Sequence, residues 1–158
     1  MKKLGFLANL RKKSIIALVE PSEEVKQSYI EKSSSNIESA KILLKNNKFE
    51  ESVALSYYSM YHFVTALLFK AGIKSENHNA TIQMLFDIFG VDNKELSSAK
   101  KDRLDKQYYV NFKINREEAQ DTIIRAEKFN NLINDFISKI NNNQIKEARG
   151  RFEVLTKK

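Results

Sequence analysis

The stretch Glu51 to Gly72, ESVALSYYSMYHFVTALLFKAG, is apolar on nearly every side when wound as a helix. Val53, Tyr57, Met60, Tyr61, Val64, Leu67, Leu68 and Ala71 recur at helical spacing, and Leu55, Tyr58, Phe63 and Phe69 fill much of the remaining face. A helix of that kind must be covered on several sides at once. Ser52, Ala54, Ser56, Ser59 and Ala66 are small enough to let neighbouring helices come close, and Gly72 supplies a stop that tolerates left-handed backbone. The stretch is therefore read as the central helix of a bundle.

The rest of the chain reads as helices to lay around it. The 158 residues contain one Pro and four Gly, so long helices are barely interrupted. That length supports one domain, residues 1–158, with a substantial core. Residues 1–20 place Leu4, Leu7, Leu10, Ser14, Ala17 and Leu18 on one stripe and read as an amphipathic helix; Arg11-Lys12-Lys13 interrupts any signal-peptide pattern. Ser22-Glu23-Glu24 starts a helix that runs to about Leu44, and Lys45 to Lys48 is a short turn into the central helix. Residues 73–79 read as a polar loop, followed by a helix carrying Ile82, Leu85, Phe86 and Phe89 that stops at Gly90. Asp92 or Asn93 opens a polar helix to Lys106, and Tyr108 to Ile114 reads as an extended connector. Asn115 to Glu118 opens a second long core helix reaching about Ile140. Residues 144–158 read as a short helix and a basic tail.

Several chemistries are excluded. There is no Cys, so no disulfide, thiolate zinc site or cysteine nucleophile, and two His do not make a multi-histidine metal site. No phosphate-binding loop, dinucleotide fingerprint, HExxH or GxSxG is present. No metal and no cofactor are expected, and no segment reaches the length of a membrane span. The net charge of +7 favours polyanionic partners such as RNA, or an acidic protein; the plainer alternative is a lysine-rich solvated surface. Lys94, Lys100, Lys101, Arg103, Lys106, Lys113 and Arg116 interleave with Tyr108, Tyr109 and Phe112. Cations with stacking rings suit single-stranded RNA, so Lys100, Lys101, Arg103, Lys106, Tyr108 and Tyr109 are candidate RNA or partner contacts. Tyr57, Tyr58, Tyr61 and His62 form a dense central-helix cluster, read as aromatic core or as the lining of a nucleotide or partner groove.

Ser56-Tyr57-Tyr58-Ser59-Met60-Tyr61-His62-Phe63, followed by Thr65-Ala66-Leu67-Leu68, resembles the YYAMFHAARALL helix of HEPN domains. These are small prokaryotic helical proteins often encoded beside a minimal nucleotidyltransferase. The resemblance implies an all-α, up-and-down helical bundle of about five to seven helices. Active members of that family cleave RNA without metal, using an Arg, four to six residues and a His, usually brought together across a dimer. The matching Arg is Arg103, but no His follows it at that spacing; Tyr108 stands there instead. A branch of the family has Arg, three residues, then Asp-Tyr, which reads here as Arg103 and Gln107-Tyr108. The same branch often carries a lysine and a His near the positions of Lys74 and His78. His78 is thus a candidate base or phosphate ligand, or else it caps its helix or pairs with the Arg103 segment.

Three functions stay open. The favoured one is an interaction module, half of a toxin–antitoxin-like pair with a nucleotidyltransferase partner, homodimeric and cytoplasmic, without robust nuclease activity. The second is a metal-independent ribonuclease toxin using Arg103 with His78 or Tyr108. The third is a structural dimer with no nucleic-acid role.

Overall fold

The computed structural model describes residues 5–108 and 113–157. Among them the chain forms α1 (Phe6–Lys12), β1 (Ile16–Leu18), α2 (Glu23–Lys45), α3 (Phe49–Lys70), β2 (Ile73–Ser75), α4 (His78–Phe89), α5 (Lys94–Tyr108), α6 (Arg116–Lys139) and α7 (Asn142–Leu155). The architecture is the expected all-α bundle, with one two-stranded ribbon added.

The helix α3 is the hub. Tyr57, Val64, Ala66, Leu67 and Leu68 are fully buried, and α2, α4, α5 and α6 all pack on it. Its least covered stripe is Leu55, Tyr58, His62 and Phe69. Of the small residues expected to admit neighbours, Ser52 and Ser59 bond directly to adjacent helices. Ser33 of α2 donates from Oγ to the Ser59 carbonyl at 2.6 Å, and Ser59 returns a bond to the Ser33 carbonyl at 2.8 Å. Ser52 donates to the Ala40 carbonyl at 2.8 Å. Moving from Ser33 to Ala40 on α2 moves from Ser59 back to Ser52 on α3, so the two helices run antiparallel at very short range. From α6, Asn130 Nδ2 reaches Ser59 Oγ at 2.9 Å, tying a third helix to the same seam.

Helix ends follow local chemistry. Ser22 caps α2 by accepting from Val25 N, Asn77 caps α4 through Ala80 N, and Asn115 caps α6 through Glu118 N. Asn141 and Gln144 form a reciprocal capping box on α7. Gly90 ends α4 in left-handed backbone, φ 67°.

Three readings of the sequence are corrected. Residues 1–20 do not form one helix. The turn after α1 takes Ser14 to φ 57°, and Ile16–Leu18 continues as a strand. The stripe from Leu10 through Ser14 to Leu18 looks helical only because apolar residues lie on both sides of that turn. The β-rich run Ile15-Ile16-Ala17-Leu18-Val19 finds a partner in β2, antiparallel, with Ile16 opposite Ser75 and Leu18 opposite Ile73. Consequently residues 73–75 are strand rather than loop, and Ile16 and Ile73 are both fully buried. The helix expected within residues 144–158 takes up more of that segment than a short helix before a basic tail: α7 runs from Asn142 to Leu155, with Phe152 fully buried. Two of its basic side chains are spent on backbone carbonyls. Arg149 Nη1 donates to Val19, Ala71 and Gly72, and Arg151 Nη1 to Ile88. Of the expected connector from Tyr108 to Ile114, Tyr108 ends α5 and residues 109–112 lie outside the described residues.

Arg149 makes Gly72 a critical contact. A Cβ there would lie 2.1 Å from Arg149 Nη1 and 2.4 Å from the Val19 carbonyl, at φ 74°; at Gly90 nothing lies within 4 Å. Gly90→Ala is expected to cost about 1 kcal/mol, the left-handed penalty alone. Gly72→Ala adds overlap with backbone and is expected to cost about 3 kcal/mol or more. Urea midpoints of the two variants check the ordering.

Candidate functional site

Tyr57 and Tyr61 stand one turn apart on α3, as do Tyr58 and His62, so the four rings form two adjacent stripes. The α4 and α5 helices bring charged and titratable partners to them. His78 occupies the first position of α4, directly after the capping Asn77, so it does not cap the helix itself. Its ring stacks on Tyr61 with centroids 4.0 Å apart and planes 13° apart. Its Nδ1 lies 2.6 Å from the Tyr57 hydroxyl. From α5, Arg103 Nη1 donates to the Tyr58 hydroxyl at 2.5 Å, and its guanidinium carbon sits 5.1 Å and 5.2 Å from the Tyr57 and Tyr58 ring centres. Tyr57 therefore touches both Arg103 and His78, which join one cluster within a single chain. Lys100, one turn before Arg103, donates to Asn79 Oδ1 at 2.7 Å.

The electrostatics are one-sided. Arg103 is half-buried, yet its partners among the described residues are a hydroxyl and two rings, with no carboxylate. Its Nε is buried with no hydrogen-bond partner. A desolvated cation of this kind favours an anion brought from outside. Burial lowers the His78 pKa below the usual histidine value, and the neighbouring charges of Arg103 and Lys100 lower it further. Burial also raises the Tyr57 phenol well above its ordinary value, against the opposing pull of Arg103. Tyr57 thus keeps its proton and His78 lacks an extra one. Among the described residues the buried phenol has no other acceptor, so its hydroxyl is assigned as the donor to Nδ1 and the imidazole proton to Nε2. Among the described residues nothing bonds Nε2, so it stands as a donor toward solvent.

His62 is a different group. Its Nδ1 pairs with Asn36 Oδ1 at 2.8 Å, and Tyr58 stacks beside it. Burial first, then the charges of Lys32 and His78, push its pKa down to about 4. Tyr61 is likewise raised by burial, with a hydrogen bond to Thr81 working against that rise.

Of the residues singled out in the sequence, Tyr57, Tyr58, Tyr61, His62, His78, Arg103 and Lys100 come together. Lys101 is exposed on the neighbouring cleft. The side chains of Lys106 and Tyr108, and the whole of Tyr109, lie outside the described residues. The sequence reading missed Asn36 and Asn79. Asn79 adjoins His78, and an Asn in the first turn of a helix beside a candidate phosphate ligand was the available signal. Asn36 carried none, because its partner His62 is 26 residues away. Among the described residues no group of three His, Asp or Glu is placed to hold a metal ion, and no helix is long and apolar enough to cross a membrane.

These assignments predict two titrations. An unfolded His62 takes up its proton near pH 6.5, whereas the native one resists until about pH 4. Its contribution is complete above pH 6.5 and is lost as pH falls toward 4, amounting to about 2–3 kcal/mol. His62→Gln should flatten that segment of a stability–pH curve measured by urea denaturation. Removing a neighbouring positive charge favours protonation, so Arg103→Ala should raise the His78 pKa, read from its ring proton resonances.

The family model for the HEPN domain matches residues 27–136, from α2 to near the end of α6. The chain is 31% identical over 114 residues to the protein named "Putative toxin MJ0605" of Methanocaldococcus jannaschii, covering 68% of this chain and 84% of that one. It is 39% identical over 62 residues to "UPF0332 protein PH1297" of Pyrococcus horikoshii, covering 39% of this chain and 43% of that one. With the helical bundle built on α3 and a family match across most of its length, this chain belongs to the HEPN domain family.

Proposed function

We propose that the chain is a HEPN-type interaction module, one half of a toxin–antitoxin-like pair with a nucleotidyltransferase-like partner, that binds RNA phosphate without robust nuclease activity. The observation that carries this is the half-buried Arg103 guanidinium, which has no carboxylate partner among the described residues and sits beside a neutral His78. Arg103, the outward Nε2 of His78 and Lys100 offer donors, which suits a phosphate. The toxin name of the archaeal relative supports the pairing. Homodimerisation and action in the cytoplasm belong to the same reading.

The proton arrangement argues against cleavage. A base at a 2′-hydroxyl needs a free imidazole lone pair. The outward nitrogen already carries the proton, because Tyr57 donates to the inner one. Moving that proton inward leaves Tyr57 without an acceptor, and expelling the Tyr57 proton is opposed by burial. The second reading, a metal-independent ribonuclease, is favoured by one observation: Arg103 and His78 meet on the same tyrosine.

Pure protein incubated with RNA, with and without EDTA, beside Arg103→Ala decides between them. Binding without cleavage is expected, weakened about tenfold by the variant, as for loss of one charged hydrogen-bonding group. Affinity should fall with salt, and removing Lys101, Arg103 and Lys106 together should flatten that dependence. Metal-independent cleavage abolished in Arg103→Ala would establish the ribonuclease. Undetectable binding would leave a structural or partner-docking role. Sedimentation of the same samples as a monomer would remove the homodimer.

A further inference from the structure

A cleft of about 370 Å³ lies between α4 and α5, immediately beside the Arg103 cluster. Asn79, Ile82, Asn93, Lys100 and Lys101 are among its walls. Among the described residues its lining holds no acidic side chain, whereas the neighbouring sizeable clefts carry Asp87 with Glu147, Asp102 with Glu118 and Asp121, or Asp92 with Glu95. Its volume falls in the range of small-molecule sites, about 300–1,000 Å³.

Among the described residues, two amides of the lining each engage one atom and keep the other open. Asn93 Nδ2 donates to the Ile82 carbonyl at 2.8 Å, which leaves Oδ1 as an unpaired acceptor. Asn79 Oδ1 accepts from Lys100, which leaves its Nδ2 as an unpaired donor. A site for phosphate alone would offer donors only, and an amide oxygen there would repel the phosphate oxygens. A donor and an acceptor presented together instead match the edge of a nucleobase, since each of the four bases carries both.

We propose that this cleft is a nucleobase subsite for single-stranded RNA, with the adjoining phosphate held by Arg103, His78 and Lys100. Asn79 and Asn93 bond the base edge, Ile82 gives an apolar surface beneath it, and Lys101 meets the next phosphate. Lys100, which bonds Asn79 and lowers the His78 pKa, joins the two positions. The inference rests on the phosphate-binding reading above and adds what that reading lacks, a preference for bases over bare backbone.

The test compares a labelled single-stranded RNA hexamer with an abasic ribose-phosphate oligomer of the same length, by fluorescence anisotropy. The abasic oligomer is expected to bind about tenfold more weakly, the value of one good base contact. Asn79→Ala and Asn93→Leu should close most of that gap while leaving the salt dependence unchanged. Because Asn93 also bonds the α4 backbone, the exposed Asn79→Ala decides the matter if Asn93→Leu fails to fold. Equal binding of the two oligomers, both weakened by Arg103→Ala, would overturn the base subsite and leave the phosphate site standing. Failure of both oligomers to bind would overturn the phosphate reading and the subsite with it.

Discussion

A helix that is apolar all round can be stable in water only if other elements cover every side of it, and that demand from α3 organises the molecule. The cover has to approach closely, because the α2 backbone is met by Ser52 and Ser59 rather than by large side chains. Ser33 and Ser59 hydrogen-bond each other's carbonyls across the gap, so the backbones meet without leaving buried polar groups unsatisfied. Asn130 closes the third side through Nδ2, although its own Oδ1 is buried without a partner. Beside this packing, Tyr57, Tyr58 and Tyr61 are where α3 meets His78 of α4 and Arg103 of α5.

The same burial sets the chemistry of the cluster. Tyr57 is fully buried, so its hydroxyl must find a partner inside the protein, and His78 Nδ1 is the one it finds. With the phenol assigned as donor, the outward ring nitrogen carries the imidazole proton. Arg103 then lies over two tyrosine faces, where the ring quadrupoles offset part of the cost of desolvating its charge. Rings cannot neutralise a guanidinium as a carboxylate would. Among the described residues the cluster therefore keeps a net positive character in a partly dry environment, where attraction for an anion is stronger than at an open surface.

The bundle was legible because α3 announces itself by composition, and because Ser22, Asn115 and Gly90 are local signals that act locally. The ribbon was not legible. Ile16 and Ile73 are separated by the whole of two long helices, and three-residue strands carry too little alternation to distinguish them from a helix stripe or a loop. The extent of α7 was underestimated, because nothing local in the sequence gives Arg149 and Arg151 a structural partner. Their actual role is to bond carbonyls left open at the ends of α3 and α4, and a helix C-terminus does not specify in sequence who will satisfy it. Membership of the cluster was suggested by the family resemblance. Its proton arrangement, and the part played by Asn79, needed the distances.

β1 and α7 lie outside the segment that matches the family, yet they bear on the cluster. His78 opens α4 three residues after β2 ends, so the place of β2 sets the place of the imidazole. Pairing with β1 holds β2, and the bond from Glu76 N to the Ile15 carbonyl extends that hold to the edge of α4. Arg149 ties Val19, Ala71 and Gly72 together at the base of the ribbon. A displacement there would move His78 relative to Tyr57, which is anchored separately in the core of α3. The 2.6 Å bond between them thus joins two independently supported parts of the fold, and the orientation of the imidazole depends on both.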